Sequence, residues 1–262
     1  MPSAFLFDLD GTLYTDAGPV PGAVEALERL AQARVPFRFI TNTSRRPRAA
    51  IVERLRGYGF PASAEHVMTA VLAAAELVRL RGHRVVVPFV APQTLPDLGE
   101  FELVGGTSGL DRGGTHADAI VIGDLGDGWT YALLQEAFRA VMGGADVIAL
   151  SRDRYWLRGD GLALDAGPFV AAIEFATGAS ARVAGKPSRD FFAAAIRSLG
   201  LGADASVADI AVVGDDIWGD VKGAQGCGLL GWLVKTGKFR ADALAGSGVT
   251  PDRILDSVAA IG

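Results

Sequence analysis

Short apolar runs alternate with amphipathic segments along this chain. Ala4–Phe7 is uniformly apolar, which is typical of a strand buried in a parallel sheet. Pro21–Ala33 follows with apolar residues at helical spacing, and Val35–Ile40 is apolar again. This order of strand, helix and strand predicts a parallel sheet covered by helices. The other predicted strands are Arg84–Val90, Ala117–Ile122, Val147–Leu150, Ile210–Val213 and Leu229–Val234, and the other predicted helices are Pro47–Arg56, Val67–Arg81, Thr130–Met142, Phe169–Thr177 and Ser188–Leu199.

The middle of the chain repeats this alternation of strands and helices and has enough of them to form a small αβ unit of its own. The last third returns to the helix and strand order of the beginning. We therefore expect an α/β protein whose core is a parallel sheet with helices on both faces. The middle block is expected to be inserted into this core.

Composition limits the classes of protein that fit. Half of the 262 residues are apolar, which favours a packed globular fold. The formal charge of −5 argues against nucleic acid as a partner, because phosphate backbones select basic surfaces. No apolar run is long enough to span a membrane, and the first residues do not resemble a signal peptide. Cys227 is the single cysteine, so an intramolecular disulfide is excluded and a cytoplasmic location is expected.

Polar residues follow three of the predicted strands. The first strand runs into Asp8-Leu9-Asp10-Gly11-Thr12, the second into Thr41-Asn42, and a late one into Gly214-Asp215-Asp216. Parallel strands bring their carboxyl ends to one edge of a sheet, which is where ligands bind in open α/β folds. We therefore expect these acids and hydroxyls to converge.

The acids at these strand ends suggest a metal site. Asp8 and Asp10 lie two residues apart on extended chain, so both side chains can face the crevice. Asp215, Asp216 and Asp220 add three carboxylates from another strand end. Two carboxylates about 4 Å apart repel by roughly 4 kcal/mol at an effective dielectric near 20, so a cation is expected. Oxygen ligands without Cys or His select a hard metal, and Mg²⁺ fits.

Each of these motifs also has an ordinary structural interpretation. An isolated Asp-x-Asp or Gly-Asp-Asp occurs in turns, and Thr41–Ser44 suits the start of a helix. Lys186 would be an ordinary solvated lysine. A Ca²⁺-binding module is a further alternative, but it needs ligands in one short loop, whereas Asp8 and Asp215 lie some two hundred residues apart.

Taken in order, these residues resemble the four motifs of the haloacid dehalogenase (HAD) superfamily of hydrolases. Asp8-Leu9-Asp10-Gly11-Thr12 is similar to the first motif and Thr41 to the second. Lys186 in Gly185-Lys186-Pro187 is similar to the third, and Gly214-Asp215-Asp216 through Asp220 is similar to the fourth. The resemblance covers nearly the whole chain and implies a HAD-like Rossmannoid core.

The spacing of the motifs resembles that of one branch of the family. About thirty residues separate the first two motifs, and about 145 separate the second from the third. That spacing leaves room for a large αβ cap only in the middle block, as in NagD-like and nitrophenylphosphatase-like enzymes. Arg154-Tyr155-Trp156 and Gly167-Pro168-Phe169 are most similar to the sub-branch of phospholysine phosphohistidine inorganic pyrophosphate phosphatase. We expect a catalytic core at 1–78 and 184–262, with a cap at 79–183.

The resemblance implies a Mg²⁺-dependent phosphatase that acts on a small phosphorylated metabolite. Asp8 would be the nucleophile, and Asp10 the general acid and base. Mg²⁺ would be held by Asp8, the Asp10 main-chain carbonyl and Asp215, with Asp216 and Asp220 orienting its waters. The remaining roles concern the phosphate: Thr41 and Asn42 would bind its oxygens, and Lys186 would offset negative charge.

The segment Ser151–Gly161 is the candidate specificity loop of the cap. It carries Arg152, Asp153, Tyr155 and Trp156, which could read the leaving group, but a solvated surface loop is an equal alternative. The role of Lys235–Lys238 also stays open. Relatives with this type of cap often pair through it, so the resemblance implies a homodimer through the cap as one expectation.

The sequence does not name the substrate, and it leaves phosphate monoesters, phosphoramidates and pyrophosphate open. Asp10 disfavours a dehalogenase, which has no use for that acid. The alternative to a phosphatase is a binding protein that kept the HAD fold without its activity.

Overall fold

The computed structural model describes residues 1–110, 114, 116–159, 161–202 and 206–261. The strands are short, as they are in most α/β folds. They are β1 (Ala4–Asp8), β2 (Tyr14–Thr15), β3 (Gly18–Pro19), β4 (Phe37–Thr41), β5 (Val67–Thr69), β6 (Val85–Phe89), β7 (Glu102–Leu103), β8 (Ala119–Ile122), β9 (Asp146–Ala149), β10 (Tyr155–Arg158), β11 (Gly161–Leu164), β12 (Arg182–Val183), β13 (Ile210–Gly214), β14 (Leu230–Val234) and β15 (Arg253–Leu255).

Helices connect most of these strands, and several begin at a side-chain cap. Thr69, Thr130 and Ser188 each accept a hydrogen bond from a backbone N–H in the first turn of the helix that follows. Such a cap stabilises a helix by about 1 kcal/mol. The helices are α1 (Ala23–Gln32), α2 (Arg48–Gly57), α3 (Ala70–Leu80), α4 (Tyr131–Met142), α5 (Ala166–Thr177), α6 (Arg189–Ser198), α7 (Gly223–Gln225) and α8 (Ala241–Ser247), and a π-type turn spans Ile217–Lys222.

The larger sheet has β1 near its centre. In the described part of the chain its six strands lie in the order β15-β14-β13-β1-β4-β5, and the pairings from β15 to β4 are parallel. Phe5 lies in register with Ala211 on one side and Phe37 on the other. The carboxyl ends of β1, β4 and β13 therefore meet at one edge, as the sequence predicted.

Aromatic side chains form much of the core against this sheet. Phe5 stacks on Phe7 with ring centroids 5.4 Å apart, and the edge of Trp232 meets Phe5 at 5.6 Å. Phe37 and Phe39 continue the cluster on β4. Full burial of one Phe side chain stabilises a fold by about 1.5–3 kcal/mol, so this cluster holds the central strands in place.

A second parallel sheet occurs in the middle of the chain. Among the described residues it has five strands in the order β12-β9-β8-β6-β7. Trp129 stacks between Phe89 and Phe169 with centroid distances of 5.8 and 4.6 Å, which fixes the start of α4 against the sheet. The prediction of an α/β fold with a second αβ unit is confirmed.

Contacts divide the chain into two compact units. The first unit comprises residues 1–41, 48–68 and 186–262, and the second comprises 42–47 and 69–185. The domain limits given above stay a prediction. None of the helices in the described ranges combines the length and apolarity that crossing a lipid bilayer requires.

Two of the predicted elements were wrong in detail. The predicted helix Val67–Arg81 begins only at Ala70, because Val67–Thr69 forms strand β5 and Thr69 then caps the helix. The predicted loop Ser151–Gly161 contains half of a hairpin, since β10 pairs antiparallel with β11. Residue 160 of that segment lies outside the described residues. Strand β15 and helix α8 were missed.

Candidate active site

Asp8 is the buried carboxylate at the end of β1. Its side chain contacts a lysine and a threonine: Lys186 Nζ lies 2.5 Å from Oδ1, and the Thr12 hydroxyl donates a 3.4 Å hydrogen bond to Oδ2. Burial raises the pKa of Asp8, and the charge of Lys186 opposes that rise. A carboxylate in this position stays ionised only with a cation beside it.

Lys186 supplies that cation. Its ammonium is buried and contacts two carboxylates, Asp8 and Asp220, the latter at 2.7 Å. Burial alone would lower the pKa of Lys186, but the charges of Asp220 and Asp8 outweigh it and raise that pKa. Lys186 is therefore a fixed positive charge between the ends of β1 and β13.

Three carboxylates come together next to this lysine. Asp8, Asp215 and Asp220 each offer an oxygen, and these three oxygens lie within 4.8 Å of one another. Burial, followed by the charges of neighbouring acids, raises the pKa of Asp215 and of Asp220 to about 6 each. A donor set made only of oxygen atoms fits a hard divalent cation such as Mg²⁺, whose charge would relieve the repulsion between the acids.

Asp215 lies in a narrow space between two glycines. A Cβ on Gly11 would lie 2.1 Å from Asp215 Oδ2, and a Cβ on Gly237 would lie 2.0 Å from the same oxygen. Both glycines have positive φ, +88° and +57°, which other residues rarely adopt. The absence of both side chains leaves room for the carboxylate.

Asp216 holds the helical turn that carries Asp220. Its Oδ1 accepts hydrogen bonds of 2.9 Å from the backbone N–H groups of Trp218 and Gly219. Burial would raise the pKa of Asp216, but these bonds and the charge of Lys238 lower it. The π-type turn thus places Asp220, five residues after Asp215, beside Lys186.

Asp10 and Thr41 take different positions in the first unit. Asp10 is exposed, and its Oδ2 accepts a 3.4 Å hydrogen bond from the Tyr14 hydroxyl. The guanidinium carbon of Arg54 in turn lies over the Tyr14 ring, 4.5 Å from the ring centroid. Thr41 is buried at the end of β4, the strand next to β1. Asp10 is not part of the carboxylate group formed by Asp8, Asp215 and Asp220.

Asn42 falls in the second unit, although it follows Thr41 directly. Its Oδ1 lies 2.8 Å from the point where a Cβ on Gly185 would be. The backbone carbonyl oxygen of Leu150 lies only 2.2 Å from that point, so Gly185 must lack a side chain there. Gly185 immediately precedes Lys186 in the sequence. Asn42 and Gly185, the chain neighbours of Thr41 and Lys186, therefore lie close together in the second unit.

Arg152 and Trp156, two of the candidate specificity residues, contact other residues of the second unit. Both terminal nitrogens of Arg152 bond Glu174, at 2.9 and 2.6 Å, which ties the segment to α5. The Trp156 ring lies 5.6 Å below the Arg45 guanidinium. Asp153 and Tyr155 are exposed. The role of all four in substrate choice stays a prediction.

Sequence reasoning did not assign a role to three residues that contact the candidate acids of the site. Thr12 belongs to the first motif, so its contact with Asp8 could have been anticipated. Tyr14 lies only four residues from Asp10, but nothing in the pattern indicated a hydrogen bond. Lys238 was noted without a role, and its contacts with Asp215 and Asp216 depend on a turn that the sequence did not predict.

Known proteins resemble this chain over most of its length. Residues 5–100 match the family model described as haloacid dehalogenase-like hydrolase, and residues 183–261 match a HAD-hydrolase-like model. Haloacid dehalogenase-like hydrolase domain-containing protein 2 of Rattus norvegicus is 43% identical over 91% of this chain and 86% of its own length. Phospholysine phosphohistidine inorganic pyrophosphate phosphatase of Homo sapiens is 35% identical over 97% of this chain and 90% of its own.

Solved structures show the same architecture. A p-nitrophenyl phosphatase from Archaeoglobus fulgidus superposes with a TM-score of 0.85 at 27% identity, covering 98% of this chain and 97% of its own. NagD from E. coli has a TM-score of 0.83 at 23% identity, over 100% and 98% of the two chains, and supports the fold alone.

The fold and the comparisons define a hydrolase of the α/β structural class, and its acid cluster is a candidate site at the carboxyl edge of a parallel sheet. The chain belongs to the haloacid dehalogenase-like hydrolase family, and it is an enzyme of the phosphatase type. The family resemblance seen in the sequence is thereby confirmed.

Proposed function

We propose that this chain is a Mg²⁺-dependent phosphatase that hydrolyses a small phosphorylated metabolite through an aspartyl-phosphate formed on Asp8. The surroundings of Asp8 support this proposal most directly. It is a buried carboxylate with Lys186 on one oxygen and two further acids, Asp215 and Asp220, close by. Such a group can approach an anionic phosphate only where positive charge is fixed in advance.

The reaction would proceed in two displacements. In the first, an Asp8 oxygen attacks phosphorus, the bond from phosphorus to the leaving oxygen breaks, and Asp10 gives its proton to that oxygen. In the second, Asp10 takes a proton from water, the water oxygen attacks phosphorus, and the bond between Asp8 and phosphorus breaks. Phosphate leaves and Asp8 is restored. The exposed position of Asp10 suits a group that must reach a leaving group and then water.

The other site residues would bind charge and orient the phosphate. Asp8, the Asp10 main-chain carbonyl and Asp215 are proposed to hold Mg²⁺, with Asp216 and Asp220 around its waters. When bound, Mg²⁺ would neutralise the negative charge that otherwise keeps phosphate and carboxylate apart. Two further roles concern the phosphate itself. Lys186 would offset the negative charge of the phosphate and of Asp8, and Thr41 and the Asn42 amide would bind the phosphate oxygens.

The substrate class is proposed from the relatives. One of them is named for phospholysine, phosphohistidine and pyrophosphate, so phosphoramidates and pyrophosphate join phosphate monoesters as substrates to test. Arg152, Asp153, Tyr155 and Trp156 in the second unit are proposed to influence the choice of leaving group. We also propose a cytoplasmic location and a homodimer through the second unit.

The first test is phosphate release from p-nitrophenyl phosphate, phosphate monoesters, a phosphoramidate and pyrophosphate. It compares wild type in Mg²⁺ and in EDTA with Asp8→Asn and with Asp16→Asn, the same change at an exposed aspartate. We expect Mg²⁺-dependent release by wild type and Asp16→Asn, and no turnover by Asp8→Asn, since an amide is a poor nucleophile.

Two results would count against the proposal. Activity of Asp8→Asn within tenfold of wild type would exclude Asp8 as the nucleophile. No release from any compound by folded wild-type protein would favour the alternative, a HAD-fold binding protein without catalysis.

A further inference from the structure

The turn after β14 contacts the acids of the site at two points. The backbone N–H of Lys238 donates a 2.6 Å hydrogen bond to Asp215 Oδ2, and the Lys238 ammonium lies 3.2 Å from Asp216 Oδ2. One residue thus contacts two neighbouring carboxylates, one through its main chain and one through its side chain. A hydrogen bond from a backbone N–H to a carboxylate is charge-assisted, and so it holds the carboxylate orientation.

The backbone around this turn leaves Asp215 little freedom. A Cβ on Gly237 would lie 2.0 Å from Asp215 Oδ2 and 2.5 Å from the Gly11 Cα. Gly237 therefore packs directly on the backbone of the segment that follows Asp8. The turn cannot shift without moving Asp215 or that segment.

We propose that Gly237 and Lys238 form a clamp that positions the Asp215 carboxylate for the divalent cation, and that Lys238 is a positioning residue anchored by Asp216. This inference rests on the proposed function, because it assumes that Asp215 is a metal ligand. The backbone N–H occupies Oδ2 and leaves Oδ1 for a cation. The ion pair of Lys238 with Asp216 keeps that N–H in place.

A clamp and a purely electrostatic role for Lys238 predict opposite changes in metal affinity when this lysine is replaced. Lys238 is positively charged, so a role limited to its charge would repel a divalent cation, and its removal would tighten binding. A clamp has the reverse effect, because its loss frees Asp215 and weakens binding. The direction of the change therefore separates the two explanations.

The experiment measures the affinity of the whole chain for Mn²⁺ without substrate. The electron paramagnetic resonance signal of Mn²⁺ that stays free in solution reports how much is bound. Mn²⁺ serves as the probe because it prefers the same oxygen ligands as Mg²⁺. We expect Lys238→Met to weaken binding about threefold to fivefold, since an exposed ion pair contributes up to about 1 kcal/mol. Lys238→Arg, which keeps the pair with Asp216, should restore it.

Two matched controls separate the clamp from general effects. Lys235→Met makes the same change three residues away, where the lysine pairs with exposed Asp256, and should leave Mn²⁺ affinity unchanged. Gly237→Ala should weaken binding at least tenfold, whereas Gly248→Ala should not. Gly248 has a similar φ of +67° with nothing within 4 Å of its added Cβ, so it carries the backbone strain without the clash.

The outcomes distinguish the clamp from the proposed function. Wild type that binds no Mn²⁺ would overturn the proposed metal site and with it the clamp. Wild type that binds Mn²⁺, together with Lys238→Met that binds it equally or more tightly, would overturn the clamp alone. Urea unfolding of each variant shows whether the fold is kept, and if Gly237→Ala does not fold, the Lys238→Met result decides.

Discussion

Asp165 is a partly buried carboxylate in the second unit, and its replacement tests the electrostatics of that unit. It caps α5, where its Oδ1 accepts a 2.6 Å hydrogen bond from the backbone N–H of Ala166. Burial, and then the charges of Asp124 and Asp153, raise its pKa to about 6, although the Ala166 bond and Arg45 oppose the rise. The ionised form is therefore disfavoured in the folded protein.

The effect on the free energy of unfolding follows from the difference in the pKa of Asp165 between the folded and unfolded states. A rise from 3.8 to about 6 corresponds to ~3 kcal/mol, at about 1.4 kcal/mol for each pKa unit. Because Asp165 is not fully buried, solvent screening reduces this to about 1–2 kcal/mol. The pKa of Asp165 is higher in the folded than in the unfolded protein. Its contribution to stability is therefore fully present below about pH 4 and is lost as the pH rises through 6.

Asp165→Asn removes this ionisation and keeps the cap, because Asn caps helices about as well as Asp. We expect the variant to be more stable than wild type by about 1–2 kcal/mol at pH 8 and nearly equal to it at pH 4. Urea unfolding of both proteins at the two pH values measures this. The pKa values of Asp215 and Asp220 are also raised to about 6, but both residues are present in wild type and variant and cancel in the difference.

A second variant separates the charge from the cap. Asp165→Ala removes both, and the lost cap should cancel about 1 kcal/mol of the gain at pH 8. If the difference between Asp165→Asn and wild type were the same at both pH values, or if the variant were less stable at pH 8, the reasoning from burial would be refuted.

Other predictions concern the site itself. Lys186→Met should abolish phosphate release and lower the free energy of unfolding in urea by about 3–5 kcal/mol, because it leaves buried carboxylates unpaired. Asp10→Asn should reduce kcat by about 10²–10⁴ with unchanged circular dichroism, because it removes the general acid and base. Gly11→Ala should lose phosphate release through its clash with Asp215, whereas Gly18→Ala, at similarly positive φ but in open space, should keep it. Loss of activity in both glycine variants would point to strain alone.

The convergence of the acids could be predicted because it depends on strand ends. Ala4–Phe7 and Ile210–Val213 are apolar throughout, so each is recognisable as a buried strand whose polar residues begin where the apolar run ends. Parallel pairing then brings Asp8 and Asp215 to the same edge. No knowledge of side-chain contacts was needed for that step.

The features that the sequence did not predict depend on irregular backbone. Asp220 reaches Lys186 through a π-type turn, and no periodicity in the sequence signals such a turn. Lys238 reaches Asp215 through a turn whose shape depends on the contact between Gly237 and Gly11. The hairpin strand β10 was missed because polar residues precede it and only Trp156 and Leu157 stand out as apolar.

The order of residues in the first unit has a consequence for synthesis on the ribosome. Asp8 is made before the second unit, but its partner Lys186 and the neighbouring strand β13 are made only after the whole second unit. The nascent chain must therefore carry β1 with one edge unpaired. The second unit can already fold at that stage, because most of it is the single segment 69–185. We expect the usual order of folding from the N-terminus to be reversed, with the apolar strand β1 a binding site for chaperones until β13 emerges.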